Sequence, residues 1–223
     1  MSFIVGIDGP AGSGKGTVTK AISNKLGLIN IDTGSTYRCV ALETLNRGIS
    51  LDDKEAIIKV ANEIDIKIET KEDGDRIYLN GKDVTKEIRS KEVTKVVSPV
   101  SSIVEVRLRM VEVQRKLAEG KDIIMEGRDI CTYVFPNADV KIYLDASLEE
   151  RARRRFEENQ EKGIDMSYDE VLENIKNRDY NDKHKEIGSL TLAPDSIIVD
   201  TTNLSIEEVV EKIIDIIENK RGE

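Results

Sequence analysis

Residues Gly9-Pro10-Ala11-Gly12-Ser13-Gly14-Lys15 constrain this chain more than any other stretch. They match G-x-x-x-x-G-K and stand between an apolar, β-branched run, Phe3-Ile4-Val5-Gly6-Ile7-Asp8, and a helix-period segment from about Gly16 to Leu26. Between a strand and a helix, such glycines let successive backbone N–H groups curl around a phosphate, and the helix N-terminus adds partial positive charge. Lys15 supplies a mobile full charge. A Gly-rich turn that holds nothing is the alternative, and the strand-loop-helix setting argues against it. The strict pattern places Ser or Thr directly after the lysine, whereas here Gly16 stands there and Thr17 comes next.

The strand-loop-helix order repeats along the chain. Leu28 to Ile31 forms a second short strand ending at Asp32, and Asp122 to Met125, Val140 to Leu144 and Ile197 to Val199 read the same way, joined by segments long enough for helices. This alternation predicts an α/β fold, a doubly wound parallel sheet. From about Asp65 to Arg89 the period changes to two, at Ile66/Ile68 and Ile77/Leu79, with Asn80-Gly81 as a turn signal, which predicts a small β-containing insertion. Val106, Met110, Val113 and Leu117 place a helix between Ser101 and Glu119, stopped by Gly120. The charged stretch from Ser147 to Lys185 reads as two helices split near Gly163, with Ser147-x-x-Glu150 as a capping box, and a last helix spans about Ser205 to Glu218. The expected organisation is one domain over residues 1–223, with an insertion at about 60–100 and a helical lid at about 147–187.

Composition narrows the partners. With 34 basic and 43 acidic residues in mixed order and a formal charge of −9, no nucleic-acid or anionic-membrane surface is expected. A phosphate ligand must instead meet locally gathered cations. No stretch approaches the roughly 18 apolar residues of a membrane span, and no cleavable leader precedes the first strand, so a soluble cytoplasmic monomer is expected. Cys39 and Cys131 are far apart and without ligating neighbours, so they read as reduced thiols.

A phosphate loop alone leaves several chemistries open. A GTPase needs D-x-x-G and N-K-x-D; Asn24-Lys25-Leu26-Gly27 lacks the aspartate and lies on the first helix. The one histidine, His184, sits among charges, so hydrolysis by a histidine base has little support. Transfer to a phosphate acceptor needs no strong base, because the acceptor's second pKa of about 6 leaves its oxygen anionic near neutral pH. Catalysis then amounts to clamping two polyanions in line and neutralising charge with Arg, Lys and Mg²⁺. Arginines stand where such a clamp needs them. Asp32-Thr33-Gly34-Ser35-Thr36-Tyr37-Arg38 comes after the second strand and Glu126-Gly127-Arg128-Asp129 after the third, both at carboxyl ends. For the first segment the plain alternative is that Asp32 or Thr33 caps the next helix.

The Gly-Lys-Gly-Thr ending of the loop resembles that of adenylate-kinase-like enzymes, making Thr17 the candidate hydroxyl near Mg²⁺ and Gly9 through Thr17 the candidate ATP-binding run. Together with Asp32-Thr33-Gly34, Tyr37-Arg38, Leu79-Asn80-Gly81-Lys82-Asp83-Val84-Thr85, Gly127-Arg128-Asp129 and Phe135-Pro136, the loop resembles the bacterial cytidylate kinases, and the likeness runs on to Asp200-Thr201-Thr202-Asn203-Leu204-Ser205. That resemblance implies transfer of the γ-phosphate of ATP to CMP or dCMP with Mg²⁺. It implies an enlarged nucleoside-monophosphate region at the insertion and a short lid after Ser147. Ser98, Arg107 and Asp129 match positions that read cytosine, and a carboxylate suits the exocyclic amine of cytosine where uracil offers a carbonyl. Arg38 and Arg128 match holders of the CMP phosphate, and Thr33, Gly34 and Tyr37 belong to the same motif. Arg178, Asp182 and Lys185, at i, i+4 and i+7, share one helical face and match sugar and phosphate contacts, with a solvated ion-paired face as the alternative. The catalytic candidates are Lys15, Arg128, Arg154 and Arg178. Arg154 competes with a bland reading, an i, i+4 pair with Glu158. Three positions depart from the family pattern: Lys185 for Arg, Cys131 for Gly and Thr33 for Ser. Another small-molecule kinase with the same loop, or a nucleotide-binding module without turnover, remains open.

Overall fold

The structure, a computed structural model, describes residues 2–71 and 74–222. In chain order its elements are β1 (Ile4–Asp8), α1 (Lys15–Leu26), β2 (Ile29–Asp32), α2 (Thr33–Asn46), α3 (Lys54–Glu63), β3 (Ile66–Lys71), β4 (Gly74–Leu79), β5 (Lys82–Asp83), α4 (Lys91–Ser101), α5 (Val104–Ala118), β6 (Ile123–Gly127), β7 (Val140–Asp145), α6 (Leu148–Glu161), α7 (Tyr168–Lys183), β8 (Ile197–Asp200) and α8 (Ile206–Arg221). The class is a doubly wound parallel α/β sheet with a helical hairpin and a small β insertion. The expected strands all form, within two residues of their predicted ends. Two compact units divide the chain: one is essentially 29–123, the other 3–28 with 124–223.

Within the second unit the strands lie in the order β6-β1-β7-β8. β7 runs parallel to β1, with Ile7 opposite Ile142, and β8 parallel to β7, with Val199 opposite Leu144. Val5, Ile7, Ile142 and Leu144 are buried with Val18 and Ile22 of α1 and Ile213 and Ile217 of α8. Each such side chain contributes about 1.5–3 kcal/mol on burial, which is why a short β-branched run suffices to fix a strand. The sheet's purpose for the site is to hold the loop after β1. A Cβ on Gly9 would lie 2.1 Å from the Leu144 carbonyl oxygen, so nothing larger than glycine passes that point. The hairpin α6–α7 has its own small core of Ala152, Val171 and Ile175, flanked by Phe156 and Tyr168 packed edge to face at 6.1 Å. It turns at Gly163, whose φ is +66°.

The capping box expected at Ser147 is only half formed. Its hydroxyl accepts from the Glu150 N–H at 3.2 Å, but the Glu150 carboxylate is drawn to Arg153 and Arg154 instead of back to Ser147. Complete boxes occur at Ser167/Glu170 and Ser205/Glu208, where the glutamate accepts from the cap N–H at 2.8 Å in each.

In the first unit β3, β4 and β5 form an antiparallel sheet with Ile66 opposite Leu79 and Ile68 opposite Ile77. The β4–β5 hairpin turns on Asn80 (φ 51°) and Gly81 (φ 81°), as the dipeptide predicts. The helix expected over 101–119 is shorter, and a separate helix, α4, precedes it. At the break the hydroxyls of Ser101 and Ser102 both donate to the Ser98 carbonyl, at 3.0 and 2.9 Å, beside Pro99, and Ile103 is extended. Among the described residues no helix is long and apolar enough to cross a membrane.

Candidate active site

Helix α1 begins at Gly14, held in the left-handed region at φ 89° with no side-chain cap. Its first N–H groups are therefore left for an anion, as the sequence requires. Lys15 folds back over the loop, donating to the carbonyls of Gly9 and Pro10 at 2.8 Å each and to Ser13 Oγ at 3.2 Å. Burial holds its ammonium well below its usual pKa, and the charge of Arg128 adds to this, Glu126 opposes it and Arg178 adds again. A phosphate placed in the loop would add its counter-charge to those of Glu126 and Asp8. Thr17 is exposed on the first turn of α1. The departure at position 16 has a steric reason: a Cβ on Gly16 would stand 3.0 Å from Glu126 Oε1. Glu126, to which the Glu126–Asp129 motif assigns no role of its own, thus stands beside the phosphate loop.

Asp182 gathers two cations. One oxygen accepts from Arg128 Nε at 2.8 Å and the other from Lys185 Nζ at 2.8 Å. Burial would raise the Asp182 carboxyl, but Arg128 and Lys185 outweigh it and hold it far below the usual carboxylate range. Burial likewise would lower Arg128, and Asp182 reverses the sign. The three residues expected on one helical face are not all helical: α7 ends at Lys183, and the chain turns back there, with the Leu190 N–H on the Asp182 carbonyl at 2.8 Å. Lys185 reaches Asp182 from outside the helix. Arg178 lies one turn before Asp182 on α7, and its charge is felt by both Lys15 and Asp182.

Arg154 does not pair with Glu158. Its Nε donates to Glu150 at 2.7 Å and its terminal nitrogens to Thr201 Oγ1 and carbonyl at 3.0 and 2.6 Å, while Glu158 binds Arg155 and Lys162. Nη1 of Arg154 lies 3.9 Å from where a Gly14 Cβ would be, at the rim of the phosphate loop. Asp129 is buried at the start of a single π-type turn, Ile130–Val134. That turn is fastened by Asp8, at the end of β1, whose two oxygens accept the N–H groups of Ile130 and Cys131 at 2.8 Å each.

The first unit holds the other candidates. Arg107 is buried on α5, lies over the Tyr37 ring at 5.3 Å and donates to the Ser101 carbonyl at 3.3 Å. Arg38 on α2 donates to the Ile88 carbonyl and Thr94 Oγ1, both at 3.0 Å. Thr33 and Gly34 form the first turn of α2, and Ser98 is exposed on α4. Asp32 makes no side-chain cap; its carboxylate is 3.6 Å from Arg89. Gln114, which no motif singled out, donates to Thr36 Oγ1 at 3.0 Å, and Thr36 in turn to the Thr33 carbonyl at 2.8 Å. It braces the start of α2 from within.

A sequence profile described as cytidylate kinase matches residues 5–219. The chain belongs to the cytidylate kinase family. Proteins named cytidylate kinase from Caldanaerobacter subterraneus subsp. tengcongensis, Caldicellulosiruptor bescii and Bacillus subtilis are 49%, 47% and 44% identical to it. The alignments cover 100%, 95% and 97% of this chain and 98%, 94% and 96% of those proteins. A solved structure of an uncharacterized protein from Eubacterium ventriosum shares the fold, at TM-score 0.54 and 12% identity over 97% of this chain and 99% of that one.

The departures from the cytidylate kinase pattern now have surroundings. Cys131 is buried against Gly6, where a Cβ would come within 2.8 Å of its sulfur, and burial pushes its thiol pKa up, as for a packing cysteine. Lys185 keeps the charge of an arginine and directs it to Asp182. The Thr33 methyl is accommodated in a buried position.

Proposed function

We propose that this family member transfers the γ-phosphoryl group of ATP to CMP or dCMP, giving ADP and CDP or dCDP, with Lys15, Arg128, Arg154 and Arg178 as the cations of the transfer. The bond from the γ-phosphorus to its bridging oxygen breaks as an oxygen of the acceptor phosphate bonds to that phosphorus. The observation that carries this reading is the gathering of charge around the loop: Lys15 lies in the fields of Arg128 and Arg178, and Asp182 holds Arg128 in place. A preorganised set of cations stabilises charge spread over the phosphoryl oxygens without reorganising during the step. No proton need be removed from an acceptor that is already anionic.

In this assignment Gly9 through Thr17 take the ATP phosphates, with Lys15 leaving its loop carbonyls for them. Ala11 contributes as an anchored peptide, since its own N–H is donated to Asp179 at 3.0 Å. Asp129 and Arg107 choose the base, Ser98 supports them, and Thr33, Gly34, Tyr37, Arg38, Asp182 and Lys185 serve the acceptor's sugar and phosphate.

Among the described residues no group of three or more His, Cys, Asp or Glu side chains is placed to hold a metal. The donors beside the loop, the Thr17 hydroxyl and the Glu126 carboxylate, are hard oxygens that suit Mg²⁺, which characteristically completes its shell with water and substrate phosphate. Bound there, Mg²⁺ would neutralise charge on the ATP phosphates. Cytoplasmic monomeric action on free nucleotides is the corresponding setting.

The test is coupled ADP release with ATP-Mg²⁺ across CMP, dCMP, UMP, AMP and GMP. CMP and dCMP should give the highest kcat/KM; equal or faster turnover of AMP or GMP would contradict the assignment.

A further inference from the structure

Both polar backbone groups of Ala11 are taken by side chains of the helical hairpin. Its N–H donates to Asp179 Oδ1 at 3.0 Å, and its carbonyl accepts from Arg151 Nη1 at 2.8 Å. The same Nη1 donates to Asp179 Oδ2 at 2.6 Å, closing a ring, and Arg151 Nε donates to the Ala146 carbonyl at 3.1 Å. Arg151 is 7% exposed and Asp179 8%. The next residue seals the contact: Gly12 has φ +78°, and a Cβ on it would stand 3.1 Å from the Arg151 carbonyl oxygen.

A buried ion pair is weak evidence for stability, because its desolvation cost offsets much of its attraction and well-packed apolar residues often do as well. What this pair does supply is direction. An acceptor on one side and a donor on the other permit the Ala11 backbone a single orientation, with its N–H turned toward α7. The next N–H groups of the loop inherit that orientation. Arg154, one turn beyond Arg151, reaches the rim at Gly14, and Arg178 immediately precedes Asp179.

We propose that Arg151 and Asp179 are positioning residues for the phosphate loop: without touching nucleotide, they fix the Ala11 backbone on which the loop's hold on a polyphosphate depends. The proposal rests on the reading of Gly9 through Thr17 as the ATP site. It separates from a purely structural role because it predicts a loss confined to one ligand.

The experiment is calorimetric titration of the full chain with ADP alone and with CMP alone, for wild type, Asp179→Asn, Arg151→Lys and Lys15→Ala. In Asp179→Asn the new amide sets a donor against Arg151, and ADP affinity should fall about tenfold or more while CMP affinity stays within about twofold. Arg151→Lys keeps the charge but loses the fork, and should weaken ADP about threefold or more. It decides the matter if Asp179→Asn lacks the wild-type circular dichroism. ADP affinity within about twofold of wild type in the folded variants, or equal weakening of both ligands, overturns the proposal. Unchanged ADP affinity in Lys15→Ala would instead show that the loop is not the ATP site, and both readings fall. A check without substitution is the Ala11 amide proton, which should exchange as slowly as the core amides of β1; exchange at the rate of an open loop overturns the proposal.

Discussion

Arg128 Nε lies 2.8 Å from Asp182 Oδ2, so the residue that follows strand β6 and one in the last turn of a lid helix share a buried charge pair. The Asp182 carboxyl is held far below its usual pKa; burial opposes this and the charges of Arg128 and Lys185 prevail. A group depressed in the folded state contributes stability that is fully present above its unfolded value, about 3.9, and is lost as pH falls toward the folded value. Asp182→Asn should therefore lower the urea midpoint at pH 7, and the gap to wild type should narrow steadily below about pH 4. A gap that does not change with pH would mean that the pair contributes nothing through charge.

Lys15→Ala should cut kcat by about a hundredfold or more, because a charged contact to the transferring group is worth a few kcal/mol, while leaving the circular dichroism unchanged. Steady-state kinetics with ATP and CMP measure it. Near-wild-type kcat would remove Lys15 from the mechanism.

Asp8 fastens the turn that carries Asp129, and both of its oxygens are engaged with N–H groups. In Asp8→Asn the side-chain amide must face one of those N–H groups, donor against donor. The turn should shift, and kcat/KM for CMP should fall about tenfold with a narrower CMP-to-UMP ratio. Loss of activity at an unchanged ratio would assign Asp8 to the sheet and not to the choice of base.

Much of the fold is legible in the sequence because the chain marks its strands plainly. Short runs such as Val5-Gly6-Ile7 and Ile123-Ile124-Met125 are too brief and too apolar to be anything but buried strands, and the glycine pattern after β1 identifies the segment from Gly9 to Lys15 as a phosphate loop. Helix α4 is harder to read: Val93, Val96, Val97 and Val100 do recur at helical spacing, but a β-branched run with Pro99 near its end argues against a helix until packing decides. The partner of Arg154 is not legible either, since Glu150 and Glu158 stand four residues away on either side, and only the tertiary contact with Thr201 selects the first. Arg151 and Asp179 lie 28 residues apart inside charged helices, and nothing in the sequence distinguishes them from solvated neighbours. Glu126 is hidden in the same way, because its nearness to Gly16 exists only once the loop has folded beside it.

Base choice at Asp129 is the sharpest discriminator between a CMP kinase and its relatives with the same loop. If Asp129 reads the base as proposed, its carboxylate would accept from the exocyclic amine of cytosine, whereas uracil would set a carbonyl against it, a buried mismatch worth about 1–3 kcal/mol or more. Wild-type kcat/KM at saturating ATP-Mg²⁺ should favour CMP over UMP by at least about tenfold, and Asp129→Ala should lose most activity on CMP and far less on UMP. An equal loss on both nucleotides would contradict the account, leaving Asp129 as a scaffold residue and the chemistry of base selection elsewhere.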